Sequence, residues 1–220
     1  MKIFKYILPV LLITALLGCK KELDSEGVSK ITYYPDIKLA GKTAESVIVG
    51  NAYTDPGAKA YENGVEIPVK VTGSVNSNAL GGYIIIYSAT NKDGYSATKF
   101  RVVGVITSDV LSDDFSGQYK RNAGAKGVAT WTKVADGVYL DSDVGGANTD
   151  GSVYVVNIKK NIVVVPHQPF AGSGSDTYCD DGSGNIEVAF TFGNIGDICY
   201  KWKVINSGYG PAVRSFVRIK

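Results

Sequence analysis

From residue 31 onward, apolar and polar positions alternate in short runs broken by Gly, Asn, Asp and Pro, and no long helical period emerges. The pattern predicts an all-β protein. In the first half the candidate strands are 31–34, 46–49, 69–72, 83–89 and 97–105, a spacing that suits a small sandwich. Within 83–89 the two-residue repeat puts Tyr83, Ile85, Tyr87 and Ala89 on one face and Ile84 and Ile86 on the other, so this strand should be covered on both sides. Asn91-Lys92-Asp93-Gly94 then supplies a turn into the closing strand of a hairpin.

A second series follows a small, polar junction at 107–112. Its candidate strands are 117–121, 129–134, 138–142, 153–158, 162–166, 186–192, 198–204 and 213–219. Asp136-Gly137 is a tight-hairpin signal, and Lys159-Lys160-Asn161 joins two runs short enough to be paired strands. About eight sequential antiparallel strands close as an up-and-down barrel or fold over as a two-layer sandwich, since both hide their edges, and the barrel is slightly favoured. The exception is 168–185, rich in Gly, Ser and Asp, which reads as a long loop and therefore as a place where function concentrates.

The N-terminus follows a different rule. Lys2 and Lys5 precede an apolar run at 7–17 that is too short for the ~20 residues of a spanning helix, and Leu16-Leu17-Gly18-Cys19 reads as a lipobox. The expected organisation is a lipoprotein signal at 1–18, a solvated tether at 19–28 beginning with a lipidated Cys19, an Ig-like sandwich at 29–106, a linker at 107–112 and an antiparallel β domain at 113–220. Removing the leader takes two lysines and leaves 21 basic against 21 acidic residues. A neutral chain with no clustered basic face argues against nucleic acid as a partner.

Cys179 and Cys199 are then the remaining thiols, in a compartment where a disulfide could form; two small buried hydrophobes on neighbouring strands is the other reading. With His167 the single histidine, no metal or other cofactor is expected.

Tyr53-Thr54-Asp55-Pro56-Gly57-Ala58, Gly82-Tyr83, Tyr87-Ser88-Ala89, Gly94 and Arg101-Val102-Val103-Gly104-Val105 together resemble the bacterial surface Ig-like domain also found in pesticidal crystal proteins. Asn91 stands where that family usually has Asp. The second half, with Gly117-Gln118-Tyr119-Lys120-Arg121, Asp136-Gly137-Val138-Tyr139 and Asp143-Val144-Gly145-Gly146, resembles the domain that follows such a module in a Bacteroidota lipoprotein family of unknown function. The resemblance implies an outer-membrane, cell-surface lipoprotein, often encoded beside a glycan-uptake pair of transporter and binding lipoprotein. Lys20, Lys21 and Glu22 after the lipidated cysteine look like the surface-export signals of such proteins.

Catalysis needs a constellation, and none is visible: His167 has no nucleophile motif beside it, and Asp141 and Asp143, two apart on one strand, read as solvated strand-end charges. Asp176, Asp180 and Asp181 read as a hydrophilic turn cluster rather than a calcium loop. Fourteen tyrosines and two tryptophans offer flat apolar faces with polar rims, which is how sugars are held. Trp131 and Trp202 are expected in the core, leaving Tyr178 and Tyr209 as candidate stacking residues. The sequence therefore points to a non-catalytic accessory glycan-binding module; a structural or adhesive module contacting another protein is the alternative.

Overall fold

The expected alternation decides the layers, and the computed structural model, which describes residues 31–124, 126–148, 151–170 and 176–220, adds strands the pattern did not mark. The leader, Cys19 and the tether lie outside the described residues. Tyr33–Lys220 form one compact unit in which all regular elements described are strands, apart from a 3₁₀ turn at Ser108–Ser112.

The first strands are β1 (Asp36–Leu39), β2 (Ala44–Ile48), β3 (Ala58–Glu62), β4 (Val65–Ile67), β5 (Lys70–Thr72), β6 (Gly81–Thr90) and β7 (Ser96–Ile106). One sheet has the order β1-β3-β4 and its partner β2-β7-β6-β5, with β2 parallel to β7. Residues 31–34 carry no strand; the first one begins after Pro35. β3 and β4 escape the sequence pattern because they are short and half polar, and their pairing is set by a turn in which Asn63 and Gly64 both take positive φ.

Ile37 and Ala60 of one sheet meet Ile85, Tyr87, Ala89 and Val103 of the other to form the sandwich core. Fully buried Arg101 lies beside it. Its guanidinium donates to Asp55 and to the carbonyl of Ala40, Nε donates to the carbonyl of Lys42 at 2.9 Å, and Nη1 reaches the Tyr87 hydroxyl at 3.0 Å. Tyr87 itself donates to Asp55 at 2.6 Å. The Asp55 turn and Arg101, 46 residues apart in sequence, are thus two ends of one clamp. At the hairpin tip, Asn91 Oδ1 accepts the Asp93 and Tyr95 amides at 3.1 and 2.8 Å, while Nδ2 donates to the Tyr33 carbonyl at 2.7 Å. An ionised aspartate could not make that last bond, so Asn91 keeps the turn and adds an anchor for the incoming chain.

The later strands are β8 (Gly117–Arg121), β9 (Val128–Ala135), β10 (Val138–Asp141), β11 (Val153–Lys159), β12 (Ile162–Pro169), β13 (Asp176–Asp180), β14 (Glu187–Ala189), β15 (Ile198–Ile205) and β16 (Arg214–Arg218). Eight of them, β8 to β13 with β15 and β16, close into an antiparallel barrel, β16 pairing back onto β8. β14 is a ninth strand laid against the first half of β12, on the edge that β13 takes over farther along. The barrel, not the two-layer alternative, is the architecture. The long loop expected at 168–185 is interrupted: β12 runs to Pro169, and β13 fills Asp176–Asp180 despite its polar composition because it is paired on both sides.

Alternation sorts the barrel residues. Tyr119, Trp131, Tyr139, Val155, Val163, Tyr200, Trp202 and Phe216 fill the interior. The opposite faces of β10, β11 and β12 present Val138, Val156, Ile158 and Val164 to Val102, Ile106 and Ile84 of the Ig-like sheet, forming a second apolar core. That seam explains why β6 is apolar on both faces. Gly82 and Gly104 sit on it: a Cβ on Gly82 would meet the Pro166 ring at 3.0–3.1 Å, and one on Gly104 would lie 2.8 Å from Val156 Cγ1 and 3.1 Å from Val138 Cγ2.

Gly→Ala in an unstrained strand ordinarily stabilises, by ~0.4–1 kcal/mol. At Gly104 the sign should reverse: Gly104→Ala is expected to cost about 1–3 kcal/mol through overpacking of the seam, read as a lower urea midpoint.

Candidate functional site

Pro166 lacks the N–H needed to continue the β12–β13 ladder, and the register slips by one residue between Val165 and Gln168. Gln168 repairs the loss on the other side, its Oε1 accepting the Tyr154 amide at 2.8 Å and its Nε2 donating to the Tyr154 carbonyl at 2.9 Å. The bulge turns His167 outward. Its ring stacks on Tyr178 with centroids 3.9 Å apart and planes at 26°, and Nδ1 lies 2.5 Å from Asp176 Oδ2. His167 is therefore an exposed strand residue built into an aromatic pair, and Tyr178 is half-buried on the outer wall.

Beyond Tyr178 the same wall opens. Just past β14, Phe190 meets β15 through an isolated bridge to Tyr200, with the Thr191 amide donating to the Cys199 carbonyl at 2.6 Å, whereas β13 pairs with β15 from Asp180 back to Tyr178. Between the two junctions lies a groove of about 480 Å³ lined by Asp181, Asn185, Glu187, Thr191, Ile198 and Lys201. Asp181 and Asn185 come from the stretch singled out in the sequence. At ~3.3 Å per residue, Tyr178 stands roughly 10 Å from the Asp181 end of the groove. Apolar Ile198 and the polar side chains around it offer van der Waals and hydrogen-bonding surface together, and Lys159 holds Glu187 at 3.4 Å.

The three aspartates read from the sequence as a hydrophilic turn cluster are engaged within the protein. Asp180 Oδ1 accepts the Gly182 amide at 2.8 Å, Asp181 Oδ1 accepts the amide and hydroxyl of Ser183 at 2.8 and 2.5 Å, and Asp176 faces His167. Among the described residues no three ligating side chains gather as a metal site.

Tyr209 is placed elsewhere. It packs at one end of the barrel, edge-on to Phe170 with centroids 5.9 Å apart and beneath the Arg214 guanidinium at 5.3 Å. A Cβ on Gly145 would fall 2.2 Å from its ring. Both candidate stacking residues are half-buried, Tyr178 beside the outer groove and Tyr209 at the barrel end. The thiols are separated as well. Cys179 pairs with Val204, five positions along β15 from Cys199, roughly 16 Å at strand rise, and both are free and buried. No bond joins them, and the buried-hydrophobe reading describes them.

The largest departure concerns Asp141 and Asp143, which are buried rather than solvated. Asp143 accepts the Ala147 and Asn148 amides at 3.1 and 2.6 Å and so shapes the loop that Trp202 Nε1 caps at the Val144 carbonyl. Asp141 shares the inward parity of Tyr139; its Oδ1 accepts the Asp143 amide at 2.9 Å, while Oδ2, Trp131 Nε1 and the Tyr200 hydroxyl are buried without partners. Burial pushes the Asp141 carboxyl up to about 7, with the Asp143 charge adding to the shift and the Asp143 amide and the nearby Trp131 indole opposing it. The inward parity was readable in Val138–Asp141; the burial of that end of the strand was not.

Residues 37–105 match the family described as bacterial surface protein, Ig-like domain, which is less than half of the chain and the stretch where the resemblance was read. The chain is also similar to the crystal structure of the lipoprotein BT2262 from Bacteroides thetaiotaomicron, at 20% identity over 85% of this chain and 100% of that one. The TM-score of 0.38 carries no argument about fold or function. Comparison with curated proteins gives no match. The Ig-like match fits a cell-surface module associated with the cell envelope.

The raised Asp141 pKa has a definite sign. The proton is held in the folded state and released on unfolding, so the contribution is complete below about pH 4 and is lost as pH rises through 7. Between pH 5 and 8 the wild type should lose about 2–3 kcal/mol relative to Asp141→Asn, measured as the difference in urea unfolding free energies.

Proposed function

We propose that this chain is a non-catalytic surface lipoprotein, anchored in the outer membrane through Cys19, that binds glycan for an uptake system. The observation carrying the reading is the mixed polar and apolar groove at Asp181, Asn185, Glu187, Thr191, Ile198 and Lys201 with the His167–Tyr178 pair on the same barrel wall. Sugars present apolar C–H faces and a rim of hydroxyls, and such a strip offers a ring surface, two carboxylates, an amide and an ammonium within a few residues of one another. A transporter and its binding lipoprotein are the partners this role calls for.

The buried acids do not argue for catalysis. Asp141 lies among Trp131, Tyr139 and Tyr200, and burial pushes the neighbouring Cys179 thiol well up, which weakens it as a nucleophile at neutral pH. One observation favours the adhesive alternative: Phe192, Ile195 and Ile198 are exposed close to the groove, with Arg218 stacked 4.1 Å from the Phe192 ring. A protein partner would bury that patch; a glycan would leave most of it bare.

A glycan array probed with the full chain in detergent tests the reading. Oligosaccharide hits should weaken about tenfold in Tyr178→Ala, the loss of roughly 1.4 kcal/mol of ring contact, and absence of any hit above background defeats the proposal. Separately, Cys19→Ala should move the protein from the membrane fraction to the soluble one; retention would remove the anchor from the picture.

A further inference from the structure

Arg214 and Arg121 face the same end of the barrel interior. Phe216, an interior residue, pairs directly with Arg121, and Arg214 lies two positions away on the same face, opposite Trp202 across β15 and β16. A diagonal neighbour of this kind stands roughly 7–8 Å away. Arg214 is only 7% exposed, yet among the described residues it has no carboxylate within ion-pair distance. Its hydrogen bond is from Nη1 to the Ala212 carbonyl at 2.9 Å, and Nε is buried without a partner. Arg121 makes one long contact, Nη1 to the Gly145 carbonyl at 3.5 Å. The buried acids near this part of the barrel are engaged by backbone amides, Asp143 by Ala147 and Asn148 and Asp180 by Gly182, and Asp141 holds its proton below about pH 7.

A guanidinium withdrawn from water and left without a counter-charge is costly unless something supplies that charge. Arg101 in the same chain shows the compensated case, with Asp55 and Glu45 beside it. Burial and then the nearby Arg121 lower the affinity of Arg214 for its own proton, as expected for two cations sharing a site with no acid between them among the described residues. Tyr209 presents its ring to Arg214, and Gly145 and Gly146 permit the close approach: a Cβ on Gly146 would meet Arg121 Cβ at 2.7 Å.

We infer that this end of the barrel is an oxyanion site, in which Arg214 and Arg121 receive the carboxylate or sulfate group of an acidic ligand beside the Tyr209 ring. It is separate from the outer groove, so the ligand it takes is set by charge rather than by the His167–Tyr178 pair.

The test is calorimetric titration of the full chain in detergent with glucuronate, with inorganic sulfate and with glucose, at constant ionic strength set by sodium chloride. Saturable binding of glucuronate or sulfate but not glucose is expected, weakened at least tenfold in Arg121→Gln and in Arg214→Lys. Tighter binding of glucuronate assigns the site to a carboxylate, tighter binding of sulfate to a sulfate group. Absence of saturable binding by the wild type overturns the inference even if the variants fail to fold, and so does binding that both folded arginine variants retain in full.

Discussion

The apolar seam between the Ig-like sheet and the barrel is the contact on which the arrangement of the rest depends. Ile84, Val102 and Ile106 on one side and Val138, Val156, Ile158 and Val164 on the other bury a second core between the sandwich and the barrel. Such a seam requires strands that are apolar on both faces, and it requires backbone approach where a side chain would intrude, which Gly104 and Gly82 supply. Because the barrel contributes β9 to β12 to this contact, the outer faces of β13 and β15 are left for other uses, and the groove lies there.

Polar groups in the interior are handled in two ways. Arg101 is fully paired, drawing Asp55, Tyr87 and two backbone carbonyls into one network, so three of the residues that carry the family resemblance, Asp55, Tyr87 and Arg101, belong to it. Their recurrence in the motif is a packing requirement of the sandwich. In the barrel, Asp141 and Arg214 are buried with polar atoms left over. The Arg101 network is satisfied within the sandwich, whereas the barrel keeps buried polar atoms without partners beside Asp141 and Arg214.

The two candidate surfaces follow from strand irregularities. Pro166 breaks the β12 ladder, which turns His167 out onto Tyr178; the brevity of β14 leaves the wall open beside β15. In a regular eight-stranded barrel neither feature would exist, and the wall would be a continuous ladder with little to offer a ligand.

Much of this was legible in the chain itself. Alternation at 83–89 announced a strand covered twice, the turn residues placed the hairpins, and the series of short runs announced an antiparallel barrel or sandwich, because side-chain period and turn chemistry are local properties. Trp131 and Trp202 were expected inside and are inside. What the sequence could not decide was partnership across distance. β3, β4 and β13 are too short or polar to declare themselves and exist because neighbours pair with them. Tyr178 and Tyr209 look alike in sequence and lie in different surroundings; Asp141 looks like a strand-end charge and is sealed among aromatics; Cys179 and Cys199 share a region and are held apart by register. Burial and register belong to the closed barrel, and only its closure fixes which side chains water can reach.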